Sequence, residues 1–134
     1  MKRAHGQMSE SLLLGAMLAM AGGFFDAYTY LCRGKVFANA QTGNIVLFGA
    51  NIAEGNWLRA AEYFLPILAF ALGVVAAEIV KRRYKKRQSD INIHWRQIVV
   101  LVEIVLLITA AFLPQTLNTT VNIMISFICA MQVE

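Results

Sequence analysis

Charge is scarce in this chain. Only 15% of its 134 residues are Asp, Glu, Lys or Arg, where soluble domains carry about 25%. Apolar residues make up 58%, and mean hydropathy is +0.57. The shortage is uneven. Half of the twelve Lys and Arg fall in one run, Lys81-Arg82-Arg83-Tyr84-Lys85-Lys86-Arg87, and long windows elsewhere carry almost none. That argues against a soluble globular domain, the competing reading being an unusually apolar helical one. The length allows one domain and no more.

Cysteine and histidine are as sparse, at two each. Cys32 ends the first apolar run and Cys129 lies inside the last. Neither has metal-ligand spacing, and two cysteines cannot build a disulfide framework. Both read as small helix-packing residues. His5 and His94 sit in polar flanks, where a histidine is ordinarily solvated. Ser–His or metal chemistry needs a histidine, a cysteine cluster or paired carboxylates within reach. The expectation is therefore no enzyme, no metal and no cofactor.

What is present is a set of apolar runs. Ser11 to Leu31 is long enough, at about 1.5 Å per residue, to cross a hydrocarbon layer of about 30 Å. Its start also has the form of a signal peptide, with Lys2 and Arg3 before a Leu-rich core and Ala19-Met20-Ala21 as a cleavage-like site. The apolar run, however, continues past that site. Ser9 is placed to cap the helix. Ala60 to Val80, Gln97 to Leu113 and Leu117 to Val133 read as three further spans. Pro66 is expected in the first turns of its helix, where a missing N–H costs least. Gly15, Ala19 and Gly23, and again Ala69, Gly73 and Ala77, form stripes of small residues that let helices approach closely. The second stripe is expected to face the first helix. Thr119, Asn122, Ser126 and Cys129 form a polar stripe of the kind that hydrogen-bonds between helices.

The least ordinary stretch runs from Gly22 to Gly49, GGFFDAYTYLCRGKVFANAQTGNIVLFG. It places Asp26 on an apolar helix, makes a basic turn at Arg33-Gly34-Lys35, and then sets the polar hexapeptide Asn39–Asn44 between apolar residues. Acids and broken backbone are costly in lipid and mark pathways or binding sites. Asp26 shares a stripe with Gly22 and Tyr30 and is expected on the packed side. The alternative has it reaching headgroup water. Val36 to Ala53 contains only nine clean apolar residues, Ile45 to Ala53. It is expected to be broken or re-entrant, with Thr42-Gly43-Asn44 opening a half-helix whose N–H groups are free. The alternative is an interfacial loop followed by a poor full span. Glu103, about two turns into its run, is the second deep carboxyl.

The basic run at Lys81–Arg87 reads as a cytoplasmic loop. With no basic fold around it, its partner is expected to be the lipid bilayer and not nucleic acid. Glu78 is expected to be ion-paired there. The fold class is thus an all-α, polytopic transmembrane bundle of about four full spans plus one broken or re-entrant segment. It forms a single membrane domain over residues 1–134. Ending at Glu134 without a polar tail, the chain reads as the N-terminal portion of a longer protein.

The pairing of G-x-x-D-A-x-x-Y with V-F-A-N-x-Q-T-G-N resembles the signature of the YoaK-like bacterial membrane proteins, classed as a domain of unknown function. The resemblance implies a multi-pass inner-membrane protein of about six helices with a second, weaker T-G-N motif beyond this chain. It assigns no catalytic residues, and it marks Asp26, Asn39, Thr42, Gly43 and Asn44 as motif positions.

Two functions follow as expectations. In the first, the protein transports a small polar solute bound by Asp26, Asn39, Gln41, Thr42, Gly43 and Asn44, with Asp26 and Glu103 relaying a proton. In the second, it is a non-catalytic packing or partner-interaction protein in which the polar residues only lock helices together. An in-plane homo-oligomer is a further expectation.

Overall fold

The computed structural model describes residues 12–86 and 95–132. Five helices follow one another: α1 (Leu12–Cys32), α2 (Gln41–Ala53), α3 (Trp57–Lys86), α4 (Trp95–Phe112) and α5 (Asn118–Gln132), with a short 3₁₀ turn at Gln115–Leu117 before α5. Among the described residues there is no strand. Ser9, His5, His94 and Arg87 lie outside the described residues. Ala19-Met20-Ala21 lies within α1, which runs through it unbroken.

Two helices, Leu12–Cys32 and Trp57–Tyr84 within α3, are long and apolar enough to cross a membrane by length and composition. The helix α5 is the axis of the bundle and the most buried element. Val121, Asn122, Ile125, Ser126, Ile128 and Cys129 all lie in its interior face. α3, α4 and α1 pack against it, while α2 packs on α3. The outward faces are apolar instead of polar: Leu72, Val75 and Ile79 on α3, and Leu101, Val105 and Ile108 on α4, are all exposed.

Ala69, Gly73 and Ala77 are buried, but they face α5 and not α1. The approach is close. A Cβ built on Gly73 would lie 2.7 Å from both the Phe127 carbonyl oxygen and the Ala130 Cβ. The stripe on α1 behaves differently from expectation. A Cβ at Gly15 or Gly23 would meet nothing within 4 Å. The packed face of α1 is the neighbouring row of Gly22, Asp26, Thr29 and Arg33. Thr29 is buried because its hydroxyl donates back to the Phe25 carbonyl at 2.9 Å, which removes the need for another partner.

Three expected boundaries shift. Pro66 lies inside α3, well beyond its first turns, so the Glu62 carbonyl loses its usual intrahelical donor. The residue is fully buried. The run Lys81 to Lys86 is not a loop but the last turns of α3. Glu78 supports that extension. It pairs with Arg82 at 2.7 Å and with Lys81 at 3.6 Å, the three- and four-residue spacings that bring helix side chains together. Finally, α2 begins at Gln41, one residue before Thr42, and is 13 residues long, about 20 Å of helix.

The path between α1 and α3 positions the site. After Cys32, Gly34 and Lys35 both take positive φ, 94° and 65°. Glycine adopts that region freely, and a lysine there is uncommon. The chain thus turns sharply and runs back beside α1 until Asn39 and Ala40 are level with Asp26. There α2 starts and returns toward the end the chain had left. Only three residues separate Ala53 from the start of α3 at Trp57, and Arg59 Nη2 donates to the Gly34 carbonyl at 2.7 Å. Residues 33–56 therefore leave and rejoin the same end of the bundle, and α1 and α3 run in opposite directions.

Candidate functional site

The start of α2 lacks a cap of its own. Ala40 is the N-cap residue and supplies no side-chain hydrogen bond. The carboxylate of Asp26 supplies it from another helix. Its Oδ1 accepts from the Asn39 N–H at 2.7 Å and from the Ala40 N–H at 3.1 Å, and its Oδ2 lies 3.2 Å from the Ala40 nitrogen. A helix N-terminus presents free donors and a positive dipole end, and an anion there is favoured. Asp26 is on the packed side, as its stripe suggests, and it engages the Asn39 and Ala40 amides just ahead of the Thr42-Gly43-Asn44 start expected to be free, where the Gly43 N–H donates to the Ala40 carbonyl at 3.0 Å.

The remaining polar residues hold the 36–40 segment against α2. Asn44 is completely buried. Its Oδ1 accepts from the Phe37 N–H at 3.0 Å, and its Nδ2 donates to the Phe37 carbonyl at 2.6 Å and to Gln41 Oε1 at 3.0 Å. Gln41 Nε2 donates to the Ala38 carbonyl at 2.7 Å. One amide side chain thus acts as a β-strand neighbour would, satisfying both polar groups of a single peptide residue. Gly43 leaves room for the Phe37 ring, which a Cβ would meet at 2.8 Å. That ring stacks on Tyr30 at a centroid distance of 4.7 Å. Gly22 does the same for Asn39, whose Nδ2 would lie 2.5 Å from a Cβ. Asp26, Asn39, Gln41, Gly43 and Asn44 are therefore brought together. Thr42 is exposed.

Glu103 lies apart. It is buried on α4, and its Oε2 accepts from Gln132 Nε2 on α5 at 3.3 Å. No hydrogen bond among the described residues joins it to Asp26.

One heavily bonded side chain among the described residues is not foreseen from the sequence. Arg33, read there as part of a turn, is only 4% exposed. Its Nε donates to the Tyr28 hydroxyl at 2.7 Å. Its Nη1 donates to the Pro114 carbonyl at 3.2 Å and to Asn118 Oδ1 at 3.4 Å, and its Nη2 to the Leu113 carbonyl at 3.1 Å. The guanidinium sits on the carbonyl end of α4, where the helix dipole is negative. Asn122 Nδ2 donates to the Arg33 carbonyl at 2.8 Å. The signal was available in the spacing. Arg33 is two turns beyond Asp26, on the same row of α1 as Thr29.

A family model described as "Protein of unknown function (DUF1275)" matches residues 14–134. The chain belongs to this family. None of the curated proteins and none of the solved structures compared matches it. The DUF1275 match covers both the Asp26-capped start of α2 and the Arg33 cluster, so both are features of the family region of the chain.

The anchoring role given to Asp26 has a direct consequence. Asp26→Asn keeps an acceptor but loses the charge facing the α2 N-terminus. It is expected to lower stability by about 1–2 kcal/mol, measured by reversible unfolding in detergent. An unchanged midpoint would remove the carboxylate from the support of α2.

Proposed function

We propose that this is a multi-pass inner-membrane protein that moves a small polar solute through the interior of its helix bundle. The observation that carries the reading is the half-helix α2. It begins beside Asp26, two turns below the end of α1, and returns to the end it came from. Non-helical backbone survives at membrane depth only where protein or water surrounds it, and discontinuous helices of this kind build the polar sites of transporters. The apolar exterior of α3 and α4 suits contact with acyl chains. In this reading α1, α3, α4 and α5 span the bilayer. The basic end of α3 lies in the cytoplasm, by the rule that Lys and Arg remain inside. The N-terminal end of α1 lies there too, and residues 33–56 form a re-entrant segment from the outer side.

The packing-protein reading also has a specific observation behind it. The side chains of Asn44 and Gln41 and the carboxylate of Asp26 bond to the chain's own backbone. We therefore propose the solute route not at the α2 start itself but along the α5 face, where Asn122 Oδ1 and Ser126 Oγ are buried without a partner among the described residues.

Flux separates the two readings. Vesicles containing the full-length protein are expected to take up glycine or glycolate faster than protein-free vesicles. Uptake no faster than in protein-free vesicles, from correctly oriented protein, would leave only the packing role. Equal flux with Asp26→Asn would remove a proton-relay role for that residue.

A further inference from the structure

Beyond the α2 start, a second polar feature lies at the end of the bundle where α1 finishes and α3 and α5 begin. A cavity of about 120 Å³ opens there, lined by Arg33, Arg59, Glu62, Asn118, Thr119 and Asn122 among others. We infer that this cavity is a binding site for a small carboxylate that carries a hydrogen-bond donor beside its carboxyl group, a hydroxy acid or amino acid of two or three carbons. The inference deepens the transport reading by naming its solute class, and it rests on that reading only for the claim that the bound molecule is carried.

Charge is the first argument. Two guanidinium groups and one carboxylate line the cavity, a balance of one positive charge. Arg59 and Glu62 pair with each other. Arg33 pairs with no carboxylate among the described residues, and its partners are carbonyl, amide and hydroxyl oxygens. A buried cation without a counter-charge is costly, and an anion relieves it.

Donor counting is the second. A guanidinium has five N–H groups. The four bonds of Arg33 leave one N–H, on Nη2. Arg59 bonds to Glu62 through Nη1 and to the Gly34 carbonyl through Nη2, and it has a side-chain hydrogen bond to Tyr63 as well, which leaves two of its five N–H groups. The first turn of α5, with Asn118 and Thr119, adds the positive end of a helix dipole. These groups suit a planar, two-oxygen anion.

The third argument sets the rest of the ligand. Asn122 lines the same cavity, is 2% exposed, and its Oδ1 has no hydrogen-bond partner among the described residues. Its amide nitrogen is fixed on the Arg33 carbonyl, so the free acceptor cannot be exchanged for a donor by flipping the side chain without breaking that bond. An orphaned buried acceptor calls for a donor. Together with the Glu62 carboxylate it would receive a hydroxyl or ammonium group next to the bound carboxyl. Size closes the class. At about 30 Å³ per water, the cavity has the room of about four waters.

Calorimetric titration of the full-length protein in nanodiscs tests this with four probes: glycolate, glycine, acetate and ethylene glycol. Glycolate and glycine are expected to bind saturably, acetate at least fivefold more weakly, and ethylene glycol not at all. Arg59→Gln, at a half-exposed position, is expected to weaken glycolate tenfold or more, with Arg59→Lys intermediate. Should Arg59→Gln fail to hold its fold, Thr119→Val, in the α5 part of the lining, is expected to weaken glycolate at least threefold. No saturable heat with either acid, or affinity unchanged in the folded variants, overturns the site. Flux of the same acids is read separately. Binding without flux keeps the site and removes transport, while flux without binding at Arg59 does the reverse.

Discussion

Replacing Asn44 with leucine is expected to destabilise the protein by about 3 kcal/mol or more, one of the two largest effects anticipated for a single substitution. The side chain is fully buried and bonds to both the N–H and the carbonyl of Phe37. Leucine has the same number of side-chain heavy atoms and is the bulkier of the two, so the loss would not come from a cavity. It would come from two backbone groups left without partners in a buried setting, at about 1–3 kcal/mol each. The failure should be local first. Residues 36–40 would detach from α2, the Tyr30–Phe37 stack would open, and proteolysis between Gly34 and Gln41 should become faster. Asn44→Asp keeps the acceptor for the Phe37 N–H but loses the donor, and should fall between the two. A leucine variant as stable as the parent would mean that water, and not Asn44, satisfies the Phe37 peptide.

Gly73→Leu is expected to be comparably severe, for the opposite reason. Here nothing polar is lost and there is no room. Even a methyl group at this position would approach the Phe127 carbonyl and Ala130 Cβ to 2.7 Å. The first of these is main chain and cannot rotate away. Overpacking typically costs about 1–3 kcal/mol for modest insertions, so Gly73→Ala should lie in that range and the leucine variant beyond it. Because the contact joins α3 to α5, the axis of the bundle, both variants should lose cooperative unfolding in detergent. By contrast, Gly23→Ala on α1 meets nothing within 4 Å and should leave the midpoint unchanged. The contrast between two glycines with the same four-residue spacing is the informative result.

That contrast also marks how far the sequence could be read. Spacing located both small-residue stripes but not their partners. Ala69, Gly73 and Ala77 of α3 pack on α5, and Gly15 and Gly23 point away from the described fold. Partner choice depends on how the helices are ordered in space, which no single helix encodes. The break at Asn39–Asn44 was legible because lipid-grade apolar residues stop and amides begin there. The identity of the group at the helix start was not legible. Asp26 lies 13 residues from Asn39 in sequence, and a carboxylate cap from another helix leaves no local signature of the kind that Ser or Asp at an N-cap position does. The same holds for Arg33. A lone arginine after an apolar run ordinarily sits in headgroup water. Its partners here, Leu113, Pro114 and Asn118, lie some eighty residues further along the chain. The basic run was recognised from charge alone, whereas its helical conformation follows from the pairing of Glu78 with Lys81 and Arg82, which continues α3 beyond its apolar part.

The return path of residues 33–56 is what makes α2 a half-helix and not part of a full span. Single cysteines at Gly34, Gly55 and Tyr84, in protein lacking Cys32 and Cys129, can be labelled in sealed, right-side-out membrane vesicles with an impermeant maleimide. The account predicts labelling of the first two positions from outside and of Tyr84→Cys only after the vesicles are opened. Outside labelling at position 55 together with protection at position 34 would mean that the chain crosses the bilayer between them, and that α2 belongs to a full span and not to a half-helix anchored on Asp26.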